Sequence, residues 1–141
     1  MEITQEEKLK TQEAAEKYGL KFIILHGSYA TGKNYPGSDL DVAVLGEKPP
    51  DFKIVLKLHS DLADIFGDGP ERELDLKTLH NVDSLFRYLV IRDGILLYGN
   101  STQYEEYKSF AYRDYMDSRD LRELEYRMTL AKQEMLTKLY A

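Results

Sequence analysis

The sequence predicts an α/β (α+β) fold: a small mixed sheet packed by helices, followed by a C-terminal helical segment. Three observations predict it. Short apolar runs alternate with stretches of helical spacing in the order helix, strand, strand, helix, strand, helix. The first two strands are joined by only about a dozen residues, too few for an easy parallel crossover through a full helix, so at least one antiparallel pair is expected. From Ser101 onward the spacing is helical to the end. One domain spanning residues 1–141 is expected, with 101–141 as its C-terminal helical extension.

The elements follow in order. Thr4 with Glu7 has the form of a capping box and Gly19 is a stop signal, so a helix lies between them with Leu9, Ala14, Ala15 and Tyr18 on its apolar side. Lys21 to His26 is the first strand. Asp39 to Leu45 is the second, ended by Gly46 and the Pro49-Pro50 turn. Ile54, Leu58, Leu62, Ile65 and Phe66 give Asp51 to Phe66 a helical stripe, broken by Gly67-Asp68-Gly69-Pro70. Glu73 to Leu79 is the third strand, with Leu74 and Leu76 on one face and Glu73, Asp75 and Lys77 on the other. Ser84 to Arg92 is a short helix closed by Asp93-Gly94, and the apolar stretch Ile95 to Tyr98 follows. In the C-terminal part, Tyr107 and Phe110 fit one stripe and Leu121, Leu124, Met128, Ala131 and Met135 another. Running the second stripe backwards puts Asp117 and Asp114 in apolar slots, so a bend or a fresh helix start is expected near Asp117. The second stripe reads as intramolecular core or as a protein interface.

Composition narrows the class. The chain has no cysteine, which excludes disulfides and thiolate metal sites and makes a cytoplasmic location the default expectation. No run approaches a membrane span, and the charged start, Met1 to Lys10, is not a signal peptide. A net charge of −6 argues against the broad basic footprint that a long polyanion requires, so no direct nucleic-acid substrate is expected. Six of the 11 tyrosines lie from Tyr104 onward, a skew that points to a buried or shared surface there.

Gly27 to Asp41 carries most of the chemistry. Asp39 and Asp41 alternate with Leu40, so both project from one face of the strand while Leu40, Val42 and Val44 face the core. Two neighbouring carboxylates repel unless a cation lies between them. Gly27-Ser28 permits a tight turn, and Ser28 can open a short helix whose first amides favour phosphate. If the third strand pairs beside the second, Asp75 joins the two aspartates. Nucleotidyl transfer uses such a set: Asp39 and Asp41 to bridge two Mg²⁺ ions, and Asp75 to bind one of them and help take the proton from the attacking hydroxyl. A nucleoside triphosphate is the expected donor.

Gly27-Ser28, ten residues, then Asp39-Leu40-Asp41 resembles the signature of the DNA polymerase β-like nucleotidyltransferase superfamily. Glu73-Leu74-Asp75-Leu76 is similar to the strand that carries its third aspartate. The short chain, and Ile91 to Tyr98 leading into a Tyr-rich helix, resemble the minimal nucleotidyltransferase (MNT) antitoxins of HEPN/MNT toxin–antitoxin pairs. That resemblance implies the DNA polymerase β-like nucleotidyltransferase fold and a protein adenylyltransferase. AMP would pass from ATP, with Mg²⁺, to a tyrosine of a cognate HEPN ribonuclease toxin held in a hetero-oligomer, neutralising it. Gly27 and Ser28 would hold the triphosphate, Asp39 and Asp41 the metals, and Asp75 a metal and the nucleophile's proton. The alternatives are a small-molecule nucleotidyltransferase of the aminoglycoside-modifying type and an antitoxin that inhibits by binding alone. His26 departs from the apolar residue usual at its position and reads as a satisfied histidine at a strand end. Lys33, in the Gly-rich connection, is placed either to reach a phosphate or to stand as a solvated loop lysine. Arg119, Arg122 and Tyr126 read as a solvent-facing helix side, and His59 and His80 have no second ligand at metal spacing.

Overall fold

A computed structural model describes residues 1–140. Helix α1 is Gln5–Lys17, followed by β1 (Leu20–His26), a short helix α2 (Ser28–Thr31) and β2 (Leu40–Gly46). Then come α3 (Phe52–Phe66), β3 (Leu74–Thr78), α4 (Ser84–Asp93), β4 (Ile95–Tyr98), α5 (Ser101–Asp117) and α6 (Arg119–Tyr140). The apolar stretch after α4 is thus a fourth strand. The sheet runs β3-β2-β1-β4, with β1 antiparallel to both β2 and β4 and β2 parallel to β3. The short β1–β2 connection enforces the first antiparallel pair, while the full helix α3 spans the parallel crossover from β2 to β3.

β1 is buried almost throughout because the sheet is covered on both faces. One face carries Leu20, Ile23, Leu25, Leu40, Val42, Val44 and Leu74 against Ala15 of α1 and Leu58, Leu62 and Phe66 of α3. The other carries Phe22, Ile24, Ala43 and Leu79 against Val90 of α4 and Tyr104 of α5. Each fully buried large side chain contributes roughly 1.5–3 kcal/mol of transfer free energy, so this double-sided strand is the anchor of the fold.

The caps behave as the sequence indicates. Thr4 Oγ1 accepts from the Glu7 amide and Glu7 Oε1 from the Thr4 amide, both at 3.1 Å, closing the capping box. Leu9, expected on the apolar side of α1, is instead exposed. The inward stripe is Thr11, Ala14, Ala15 and Tyr18, and Thr11 is buried because its hydroxyl donates to the Glu7 carbonyl at 2.7 Å. In α5 the buried residues are Tyr104 and Ala111, with Tyr107 half-buried; Phe110 stands out to solvent beside the Arg87 guanidinium.

The break at Asp117 is real: α5 ends there, and the Ser118 hydroxyl donates to the Asp114 carbonyl at 2.7 Å. Asp114 occupies its apolar slot because it pairs with Arg87 of α4 at 3.0 Å. Beyond the break, α6 buries none of its residues, which removes the intramolecular-core reading of the Leu121 to Met135 stripe. Arg122 is also not solvent-facing. It donates to Ser84 and Ser118 and stacks 3.9 Å from the Tyr115 ring, tying the root of α6 to the body. Among the described residues, no helix is long and apolar enough to cross a membrane.

Candidate active site

The site lies where β1 ends and β2 and β3 begin. Pairing across the sheet sets His26 beside Asp41 and Asp41 beside Asp75. All three therefore project from the sheet face that also carries Ala43 and Leu79, past the cover supplied by α4 and α5. The Leu40 amide donates to the Glu73 carbonyl at 2.8 Å, which fixes the two strand starts in register.

Gly27 makes the corner between β1 and α2 with φ 71° and ψ −155°, a region open only to glycine. A Cβ there would overlap Asp41 Oδ2. Glycine is thus required twice at one position, by the backbone and by the carboxylate against it. The Ala30 and Thr31 amides return to the Gly27 carbonyl at 3.1 and 3.2 Å, so Ser28 begins a single helical turn whose first amides point outward. Thr31 is followed by Gly32 in the left-handed conformation, ending the turn after four residues.

Asp39 sits one residue before β2, exposed, rather than within it. A Tyr35–Ser38 turn precedes it, closed by the Ser38 amide on the Tyr35 carbonyl and the Tyr35 amide on Ser38 Oγ, each at 2.9 Å. The structure therefore brings Asp41 and Asp75 side by side and leaves Asp39 at the rim. Among the described residues, no three acidic or histidine side chains gather tightly enough to form a closed metal cage.

Electrostatics single out Asp41. Burial, then the Asp75 charge and a proton shared with that carboxyl, then Asp39, push its pKa up to about 6, against the pull of Lys77. Lys77 itself lies 3.6 Å from Asp75. A carboxyl raised by burial and by neighbouring carboxylates lacks compensating positive charge, and a divalent cation would supply it. Mg²⁺ commonly takes only one or two protein carboxylates and completes its shell with water and substrate phosphate oxygens. The donor set, all hard oxygen, fits that ion and an open site of that kind.

His26 departs from its expected satisfied state. It is buried, its Nε2 has no partner, and its ring meets Phe86 edge-on at 6.0 Å. Burial lowers its pKa, opposed by the Asp75 charge and reinforced by Lys77. His59 and His80 are structural: the first contacts the Leu74 carbonyl at 3.2 Å, and the second receives the Gly46 amide at 3.1 Å.

The sequence singled out Lys33 but not the other cations around the site. Lys77 shares the polar face of β3 with Asp75, and that alternation was the available signal. Arg72 lies over the Tyr29 ring at 5.5 Å, bringing a guanidinium to the α2 turn across a 43-residue separation that no local pattern reveals. The Asp93 carboxyl is held below its usual range chiefly by its hydrogen bond from Arg92, and Lys33 adds a smaller pull.

Residues 7–103 match the family model described as polymerase beta, nucleotidyltransferase. No curated protein matches the chain in sequence. Among solved structures, a toxin–antitoxin with AMP-PNP superposes with a TM-score of 0.72 at 22% identity, covering 87% of this chain and 98% of that one. A complex of tri-AMPylated Shewanella oneidensis HEPN toxin with MNT antitoxin gives 0.68 at 21% identity, covering 89% and 98%. Spectinomycin adenyltransferase AAD(9) from Enterococcus faecialis, with ATP and spectinomycin, gives 0.54 at 20% identity, covering 82% of this chain and 65% of that enzyme.

Proposed function

The chain belongs to the polymerase beta nucleotidyltransferase family, and we propose that it is an MNT antitoxin that transfers AMP from ATP to a tyrosine of a partner HEPN ribonuclease, silencing it. The observation that carries this reading is the pairing of Asp41 with Asp75 against the Gly27 corner. It joins a carboxylate pair in need of a cation to a turn that admits a phosphate chain.

Gly27 and Ser28 bind the triphosphate through the outward amides of the turn and the Ser28 hydroxyl. Asp39, Asp41 and Asp75 would hold Mg²⁺, which supplies charge neutralisation on the phosphates when bound. Asp75 accepts the proton of the acceptor hydroxyl. The freed oxygen attacks the α-phosphorus, the bond from that phosphorus to the pyrophosphate oxygen breaks, and pyrophosphate leaves. Lys77, 3.6 Å from Asp75, and Arg72, over the Tyr29 ring of α2, would supply positive charge beside the carboxylates and the turn.

Three considerations support a protein acceptor. The chain is acidic, with a net charge of −6, which disfavours a polynucleotide. Its likeness to an antitoxin whose HEPN partner carries AMP extends over nearly all of both chains. By contrast, the likeness to the spectinomycin enzyme leaves about a third of that enzyme without a counterpart in this chain.

The test is transfer from ATP labelled at its α-phosphate to a HEPN ribonuclease. Label should move to the partner with Mg²⁺ and fail to move with Asp41→Ala or Asp75→Ala. Label on an aminoglycoside instead would favour the small-molecule reading.

A further inference from the structure

We propose that two copies of this chain pair through α6 as an antiparallel coiled coil. α6 has 22 residues, a rod of about 33 Å at 1.5 Å per residue, and none is buried. Leu121, Leu124, Met128 and Met135 are each more than half exposed. With Ala131 they fall at alternating spacings of three and four, the a and d positions of a two-stranded seam. Arg122, which anchors the root of α6 to Ser84, Ser118 and Tyr115, occupies a b position on the far side of the helix from this seam. The apolar stripe therefore faces away from the body that carries it.

Charge identifies the occupant. Antiparallel pairing in one register sets Leu124 opposite Met135 of the second copy and Met128 opposite Ala131 of the second copy. Leu121 then meets Lys138 of the second copy at the end of the seam, where the lysine stem can cover the leucine while its ammonium reaches water. In that register the flanking e positions bring Glu125 to Lys132 of the second copy, and the g positions bring Arg127 to Glu134 of the second copy. Two-fold symmetry repeats both, so four opposite-charge pairs rim the seam. Parallel pairing would bring Asp120 to Glu125 and Arg127 to Lys132, like against like. The pattern favours a second copy in one orientation, and it stands apart from the AMP-transfer reading because it involves neither ATP nor the aspartates.

Light scattering on the purified full chain, without nucleotide, tests it. Wild type should run at twice its 16.4 kDa mass. Glu125→Lys and Lys132→Glu, each alone, should halve the apparent mass. Mixing the two variants should restore the dimer, since each then offers the charge the other lacks. Residues 125 and 132 lie about 10 Å apart along one helix, so rescue in the mixture cannot arise within a chain. Orientation is read separately: the chain has no cysteine, so Leu121→Cys mixed with Lys138→Cys should oxidise to the mixed disulfide. A monomeric wild type, a dimer indifferent to the charge swaps, or Leu121→Cys linking to itself would each overturn the proposal. So would a chain that is monomeric alone and whose α6 is covered only by the HEPN protein.

Discussion

Gly27 and Asp41 are in contact across the β1–α2 corner, so that any side chain at position 27 would displace the Asp41 carboxylate. The glycine also holds a backbone conformation closed to other residues. Gly27→Ala should therefore cost about 2 kcal/mol of stability from backbone strain alone. Transfer should fall by more than the stability loss explains, because the carboxylate itself moves. Urea denaturation beside a turnover assay on the folded fraction separates the two effects.

The Asp41 carboxyl sets a pH dependence with a definite sign. Its folded pKa, about 6, lies above the ordinary 3.8, so the folded state holds a proton that the unfolded chain has released. Stability from this group is fully present below about pH 4 and is lost as pH rises through 6. A shift of this size corresponds to about 3 kcal/mol at 1.36 kcal/mol per unit. Solvent screening of a half-exposed group reduces that to about 1 kcal/mol. Asp41→Asn should flatten the profile and raise the melting temperature of the metal-free protein at pH 7.5. Mg²⁺-ATP should stabilise the wild type more at pH 7.5 than at pH 5, where protons compete for the same oxygens, and calorimetry at both values checks it.

His26 contributes with the opposite sign, since its lowered pKa means that stability falls as pH drops below 6.5. Its unpartnered Nε2 is a buried polar atom without compensation. Replacing it with phenylalanine removes that atom and keeps the edge-on contact with Phe86. His26→Phe should stabilise the protein by about 1 kcal/mol in chemical denaturation.

Asp114 and Arg87 join α5 to α4 through a half-buried ion pair. Removing the carboxylate leaves the guanidinium, only 15% exposed, without its partner. Asp114→Ala should cost about 1 kcal/mol and Arg87→Met less, because the carboxylate then left without its partner is the more exposed of the two groups and reaches water. Both are read as shifts in the denaturation midpoint.

The contrast between Asp41 and Asp39 shows how far sequence carries. Alternation along β2 and β3 put Asp41 and Asp75 on polar faces, because strand period is a local property, but their meeting waited on the β2–β3 pairing. Whether Asp39 joins them depends on the Tyr35–Ser38 turn, whose hydrogen bonds no spacing rule encodes. The fourth strand, Ile95–Tyr98, has four residues, and a run that short does not distinguish strand from coil until β1 supplies its partner. Leu9 misleads for a related reason: Thr11 buries better because its hydroxyl bonds back to the helix, so a polar residue takes the inward place. Arg72 over Tyr29 and Arg122 over Tyr115 are tertiary contacts and leave no local trace.

Intact-mass measurement of a HEPN ribonuclease offered as the proposed partner, incubated with this chain and Mg²⁺-ATP, tests AMP transfer most directly. Mass should rise in whole AMP units on a tyrosine, and the rise should vanish with Asp41→Ala and with Asp75→Ala. Silencing of the ribonuclease with no change in its mass would contradict transfer and leave an antitoxin that acts by binding alone.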